Sequence, residues 1–334
     1  MRTAPVVTAV AHPNIALVKY WGKRDENLVL PLADSLSLTL DIFPTTTSVQ
    51  LLPDSTHDLV TIDGHPATGE VKRRITGFLD MLRTHAGMHT RARVDTRNAV
   101  PVGAGLASSA AGFAALALAA ATAYEIDLDR AALSRLARRG SGSAARSVFG
   151  GFVLWHAGSP DAEDADLASY AEPLDDARLD AAMVAVLLQT GPKAVSSREA
   201  MRRTVATSRL FPGWLASSRQ DVTAMRAALA AGDLPAVGAI AERNALGMHA
   251  TMESASPPVT YRTPASHHVL AHVRRMRERG EQTWSTMDAG PNVKVLCPAG
   301  DAQRIADELG KVTGCPTIVA RSGPGVRVMA GVGT

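Results

Sequence analysis

Apolar residues over positions 6–17 recur as in an extended chain, with a break at His12-Pro13, where proline removes a backbone donor. An extended run restarts at positions 28–30. Positions 35–40 alternate polar and apolar residue by residue, as a strand with one wet face does. Positions 45–51 and 59–62, joined by a loop containing Pro53-Asp54-Ser55, read as a hairpin, and Asp63-Gly64 marks a further turn. Over positions 70–84 the period changes: Ile75, Phe78, Leu79 and Leu82 stand at i, i+3, i+4 and i+7, one face of a helix. Positions 113–123 are an Ala/Leu-rich helix, and 129–139 a second, capped by Asp127 or Asp129, with Leu133 and Leu136 turned inward.

Positions 152–156 are strand-like, the acidic stretch 159–180 reads as a solvated connection, and 182–188 as a buried strand. Beyond it helices are expected at 197–207, 214–231, 234–248 and 266–278, the last stopped by Gly280. Strands at 282–287 and 293–296 flank Asp288-Ala289-Gly290-Pro291-Asn292. A helix at 302–312 and strands at 317–320 and 326–329 close a sheet. Hairpins at the front followed by mixed helix and strand predict an α+β protein of two domains sharing a cleft, residues 1–188 and 189–334.

Composition narrows the class without fixing it. With 46% hydrophobic and 20% charged residues the chain is an ordinary globular sequence, and 334 residues suffice for two cores. A net charge of +3 and 4% aromatics argue against nucleic acid as a partner. Only Cys297 and Cys315 are present, which excludes a disulfide framework and suits a reducing compartment. Positions 106–126 are nearly uncharged, but mostly alanine and interrupted by Ser108, Ser109, Gly112 and Thr122. They read as a buried helix, not a membrane span. With no signal-peptide or lipidation pattern, the expectation is a soluble cytoplasmic protein.

The chemistry gathers in a few places. Gly103-Ala104-Gly105-Leu106-Ala107-Ser108-Ser109 runs straight into the helix at 113–123, so unpaired backbone N–H groups and the positive helix end converge on one point. That arrangement seats phosphate, though small residues also serve tight packing against a sheet, and the spacing is neither Walker A nor a Rossmann turn. Gly140-Ser141-Gly142-Ser143 is a second phosphate-friendly loop. Lys19 and Lys23 flank Tyr20-Trp21-Gly22, a pair of ammonium groups beside a phenol that fits either a phosphate grip or a surface turn. Arg146 fits a bidentate clamp for carboxylate or phosphate, or a structural ion pair. Asp288, in a rigid Gly-Pro turn, is placed to orient or deprotonate an alcohol, although such a sequence alone is usually an Asx-turn. His268 and His272 stand four apart without a third ligand, so zinc is not expected.

Taken together these segments resemble a known family. Residues 14–23, Asn-Ile-Ala-Leu-Val-Lys-Tyr-Trp-Gly-Lys, look like the N-terminal signature of the diphosphomevalonate decarboxylases, members of the GHMP kinase superfamily. Residues 105–112 resemble that family's phosphate loop, 139–147 its substrate loop, and 288–292 its catalytic aspartate motif. Val195-Ser196-Ser197-Arg198 with Met201, Thr207 and Ser208 matches as well. The similarity runs in order over about residues 8 to 330.

The resemblance implies a two-domain GHMP-kinase-like fold with the active site between the domains. It also implies ATP-dependent decarboxylation of (R)-5-diphosphomevalonate to isopentenyl diphosphate, ADP, phosphate and CO2, through phosphorylation of the 3-hydroxyl. By resemblance the catalytic residues are Asp288, Arg146 and Lys19. Substrate contacts fall to Tyr20, Trp21, Gly22, Lys23, Arg74, Ser141, Gly142, Ser143, Ala144, Ala145, Arg146, Ser197 and Arg198. Nucleotide contacts fall to Gly103, Ala104, Gly105, Leu106, Ala107, Ser108 and Ser109, and Mg²⁺ to Ser108 or Ser109. The family implies a homodimer and no membrane.

There are departures: Ala145 stands where Cys is common, Ala33 where Asn is, Ala200 where Gly is, and His12-Pro13 where Pro-Val is usual. Two other readings share these residues. One is a related kinase, or a decarboxylase acting on mevalonate or its monophosphate. The other is a catalytically silent protein that kept the fold.

Overall fold

In the computed structural model, which describes residues 4–99, 108–188 and 194–329, the break at His12-Pro13 separates two strands that join different sheets. In chain order the first strands are β1 (Val6–Ala11), β2 (Asn14–Val18), β3 (Lys23–Asp25), β4 (Leu30–Pro31), β5 (Ser35–Thr39), β6 (Thr45–Leu52), β7 (Leu59–Ile62) and β8 (His65–Pro66). Helix α1 (Gly69–Ala86) and β9 (Arg91–Asn98) follow, then α2 (Ser108–Ala123), α3 (Arg130–Gly140), a 3₁₀ helix over Gly142–Val148, β10 (Phe152–Trp155) and β11 (Ala171–Pro173). The remainder is β12 (Ala181–Val186), α4 (Ser197–Thr207), α5 (Phe211–Ala231), α6 (Leu234–Glu253), α7 (Pro264–Glu278), β13 (Trp284–Met287), β14 (Val293–Pro298), α8 (Ala302–Thr313), β15 (Thr317–Ala320) and β16 (Arg327–Val328).

Three sheets organise the molecule. The first has the order β16-β1-β6-β9-β7-β8, the second β11-β10-β5-β2 and the third β13-β14-β12-β15. Helix α1 buries Ile75, Phe78, Leu79 and Leu82, the stripe its sequence announces, and ends on Gly87 in the left-handed region. With the alanine face of α2 these residues cover Val49 and Val94 of the first sheet. Small side chains let α2 lie close to β1 and β6. The third sheet is covered on both faces. Val269 and Val273 of α7 and Ile305 and Leu309 of α8 meet Val184 and Val295 on one side. On the other, Met225 and Leu229 of α5 and Val237 and Ile240 of α6 bridge Met183 and Leu296 to Ile15, Leu17, Leu36 and Leu38 of the second sheet. That shared apolar layer fixes β2 against the C-terminal half.

Four expectations change. Positions 45–51 and 59–62 do not form a hairpin, because β9 lies between β6 and β7, and β7 runs parallel to it. Asp58, fully buried, accepts from the Ala92 amide at 2.9 Å and pairs with Arg83 at 3.0 Å, which draws the start of β7 to β9. Leu28 and Val29 form a turn, not a strand: Asp25 Oδ1 accepts from the Leu28 amide at 2.7 Å and Val29 has φ of 56°. β5 has no wet face, since Ser35, Ser37 and Thr39 are buried along with its leucines. Finally, β16 does not complete the last sheet but returns to pair with β1. No helix among the described residues is long and apolar enough to cross a membrane.

Candidate active site

β13 and β14 pair with Met287 opposite Val293, so residues 288–292 form the turn of a hairpin. The turn is held on several sides. The Gly290 amide donates to the Asp288 carbonyl at 2.7 Å, Ser266 Oγ of α7 donates to the Pro291 carbonyl at 2.7 Å, and Asn292 Oδ1 accepts from the Leu188 amide at 2.8 Å. The Asp288 carboxylate is gripped by two ammonium groups, Lys19 Nζ on Oδ1 at 2.9 Å and Lys294 Nζ on Oδ2 at 3.0 Å. Both lysine side chains are 2% exposed, whereas the Asp288 side chain is 31% exposed. Burial would raise the Asp288 carboxyl, but Lys19 and Lys294 outweigh it and hold the group well below the usual carboxylate range. Burial likewise lowers Lys19, with Asp288 opposing.

Lys19 follows directly on β2, whose five residues are all buried. Its ammonium also donates to the Ala16 carbonyl at 2.6 Å, and its amide to Asn244 Oδ1 of α6 at 2.8 Å. Asn244 is itself fixed by Ser218 and Asp221 of α5. Arg146 projects from the 3₁₀ helix, which is docked through Asn14: Nδ2 of that residue donates to the Ser143 carbonyl at 3.0 Å and to Ser147 Oγ at 2.8 Å. The Arg146 guanidinium is 2% exposed, donates to Asn14 Oδ1 at 3.2 Å and to Ser35 Oγ, and lies 5.6 Å from the Trp155 ring centroid. Among the described residues it forms no ion pair. Burial lowers it to about 10, with the Asp288 charge opposing. Ser35, on the polar face of β5 expected to be wet, thus meets Arg146.

Away from Asp288 the site continues past Tyr20. Its ring meets Trp155 edge-on at 4.7 Å, and a Cβ on Gly142 would come within 2.7 Å of it, so glycine is required there. The Tyr20 hydroxyl is buried without a hydrogen-bond partner among the described residues. Burial raises its pKa, and both Arg146 and Arg198 oppose that. Arg198 is exposed and reaches Glu70 at 3.4 Å. Arg74 lies near enough to feel it: burial and then the Arg198 charge lower Arg74 to about 10. Arg74 donates through Nε and Nη2 to the Gly140 carbonyl at 3.0 and 2.6 Å, over the Phe113 ring. Ser197 opens α4, where Ser196 caps the Glu199 amide. Ser141 Oγ lies 3.3 Å from Ser109 Oγ, linking the substrate loop to the start of α2.

Several other expected contacts have side chains engaged within the fold. The Trp21 side chain is buried among Met201, Phe211, Trp214 and Met248, where it anchors the chain. Gly22, at φ of 107°, is tucked against Leu32 and Phe211. Ala144 and Ala145 are wholly buried in apolar clusters. Lys23 pairs with Glu26. The stretch 140–143 is the end of α3 and the start of a 3₁₀ helix, not an open loop. Arg146 has no ion pair among the described residues, so the structural ion-pair reading fails. Gly103, Ala104, Gly105, Leu106 and Ala107 lie outside the described residues, as does the Ser108 side chain. His272, four residues after His268 on α7, meets Glu308 at 2.7 Å.

Two residues escaped the sequence. Lys294 is a single polar position in an apolar strand. His249 is a single buried histidine on α6, lowered to about 4 by burial, with the Arg262 and Lys19 charges reinforcing it. The inward alternation of β14 was the available signal for Lys294.

Two family profiles match the chain: the diphosphomevalonate decarboxylase-like N-terminal domain over residues 11–169 and the mevalonate 5-diphosphate decarboxylase C-terminal domain over residues 182–322. The diphosphomevalonate decarboxylase of Bos taurus is 36% identical over 312 residues, covering 87% of this chain and 76% of that protein. The phosphomevalonate decarboxylase of Haloferax volcanii is 34% identical over 301 residues, 90% of each. A solved structure described as MDDEF in complex with MVAPP, AMPPCP and magnesium superposes with a TM-score of 0.90 at 41% identity, covering 98% of this chain and 99% of that one.

Proposed function

Because the chain belongs to the diphosphomevalonate decarboxylase family, whose two domain profiles together span most of it, we infer that it converts ATP and (R)-5-diphosphomevalonate to isopentenyl diphosphate, ADP, phosphate and CO2. The observation that carries the reading is a charge imbalance. Lys19, Lys294 and Arg146, all buried, surround the single carboxylate of Asp288. Buried cations in excess of anions are costly alone and are matched by an anionic ligand. A substrate with a carboxylate at one end and a diphosphate at the other supplies that charge.

In this reading the substrate carboxylate lies against Arg146, and the diphosphate against Tyr20 and the Arg74–Arg198 pair, with Ser141, Ser143 and Ser197 at its edge. The 3-hydroxyl then meets Asp288. A carboxylate held by two ammonium groups is a weak proton acceptor, so its work is to orient the hydroxyl and to remain an anion. Phosphoryl transfer passes through a loose transition state, in which the hydroxyl proton leaves late, and the proton is carried off on the released phosphate. When the tertiary phosphate departs, positive charge grows at C3 beside that carboxylate. Arg146 holds the substrate carboxylate aligned while its C–C bond electrons form the alkene.

ATP and Mg²⁺ are the cofactors, a reading supported by the solved relative with AMPPCP and magnesium. Mg²⁺ favours phosphate oxygens and water over an all-protein cage, and Ser109, exposed at the start of α2, would supply a hydroxyl to such a set. The free thiols Cys297 and Cys315 suit the cytoplasm. The homodimer is carried over from the family.

A second reading, decarboxylation of the monophosphate, has two observations in its favour: Arg74 spends two donors on the Gly140 carbonyl, and Lys23 is tied to Glu26. Release of CO2 and phosphate, measured with ATP and each mevalonate phosphate in turn, tests both. Equal release of the two products from the diphosphate alone is expected. Release from the monophosphate alone would favour the second reading, and ATP hydrolysis without CO2 would overturn both.

A further inference from the structure

From Val293 to Cys297, β14 is buried at every position, and Lys294 is the one charged residue. Val293, Val295 and Cys297 face α7 and α8, while Leu296 faces the layer shared with β2, α5 and α6. Alternation along the strand puts Lys294 on the Leu296 side, toward Lys19. An apolar residue would pack a central strand as well, and burying an ammonium is expensive. The lysine's observed contact is Asp288 Oδ2, the oxygen that Lys19 leaves free.

One ammonium on one oxygen leaves the carboxylate free to turn about its Cβ–Cγ bond. Two on different oxygens, one from β14 and one from the residue that follows β2 of another sheet, fix its plane. We propose that Lys294 is a positioning residue: by holding Oδ2 it sets the plane and the anionic form in which Asp288 meets the substrate hydroxyl and the cation at C3, without touching substrate itself. This rests on the reaction proposed above. The charged and titratable groups around the carboxylate are Lys19 and Tyr20 after β2, Arg146 from the 3₁₀ helix, and on α6 His249, which is neutral at pH 7. Lys294 and Lys19 both hold the Asp288 carboxyl down, so losing Lys294 moves its titration toward higher pH.

The test compares K294M, K294Q and K294R with the native chain in steady-state kinetics, pH profiles and crystal structures. For K294M and K294Q, kcat falls about 100-fold while KM for either substrate moves less than about threefold. The acid limb of kcat shifts upward in pH, and Asp288 is rotated or split between conformers. K294R restores most of kcat, the orientation and the limb. The proposal is overturned by a kcat within about threefold of native, by a KM effect with kcat intact, or by a kcat loss with Asp288 unmoved and the limb unshifted. Should K294M fold poorly, K294Q and K294R carry the comparison. Should the native chain prove inactive, the proposed reaction falls, and the orientation of Asp288 in the variant crystals still decides the role of Lys294.

Discussion

Asp288, Lys19 and Arg146 were legible as residues because each stands in a short motif whose glycines and prolines advertise a special backbone. Lys294 and His249 were not, since a lone polar residue in an apolar strand or helix looks the same whether it supports a site or a core. His249 nevertheless has a measurable consequence. It is 1% exposed, and its imidazole is lowered from 6.5 to about 4, so the folded chain prefers it neutral while the unfolded chain protonates it between those values. The stability linked to it is fully present above pH 6.5 and is lost as pH falls toward 4, a change of about 3 kcal/mol. Urea unfolding across that range should show the acid loss in the native chain and a flatter profile in His249→Leu. An unchanged profile would show that the imidazole titrates normally.

Elements whose stability is local were read well. The helix over Ser197–Thr207 matches its predicted limits, with Ser196 as its cap, and α1 buries the four apolar residues of its stripe. Pairings chosen by distant residues were not. β9 carries its inner face on Ala92, Val94 and Thr96, too small a hydrophobic signal to announce a strand, yet it separates β6 from β7. What directs this is Asp58, which joins the Ala92 amide to Arg83 in a buried, bidentate pair. Asp58→Ala leaves Arg83 with the half-exposed Asp80 as its carboxylate partner beside the Tyr124 hydroxyl, and the Ala92 amide unmatched, a cost of about 3–5 kcal/mol in urea unfolding. A loss below about 1 kcal/mol would assign the β7–β9 pairing to packing alone.

At the scale of the whole molecule, the site exists only because the two halves meet. Lys19 and Arg146 come from the early chain, Asp288 and Lys294 from the late chain, and the apolar layer between β2 and α6 sets their separation. The order of motifs made this arrangement readable in outline. It could not show that the side chains of Trp21, Ala144 and Ala145 are buried in apolar clusters, because a motif records which residues recur together and not which way each side chain turns. The return of β16 to β1 was hidden for a related reason: two residues of strand carry no periodicity. The most direct test of the account is turnover by Asp288→Asn, with substrate binding followed by calorimetry. An amide keeps the shape but cannot supply the anion that faces C3. The account predicts a kcat at least about 10³-fold lower with diphosphomevalonate bound as tightly as by the native chain, or more so. Turnover within about tenfold of native would contradict it.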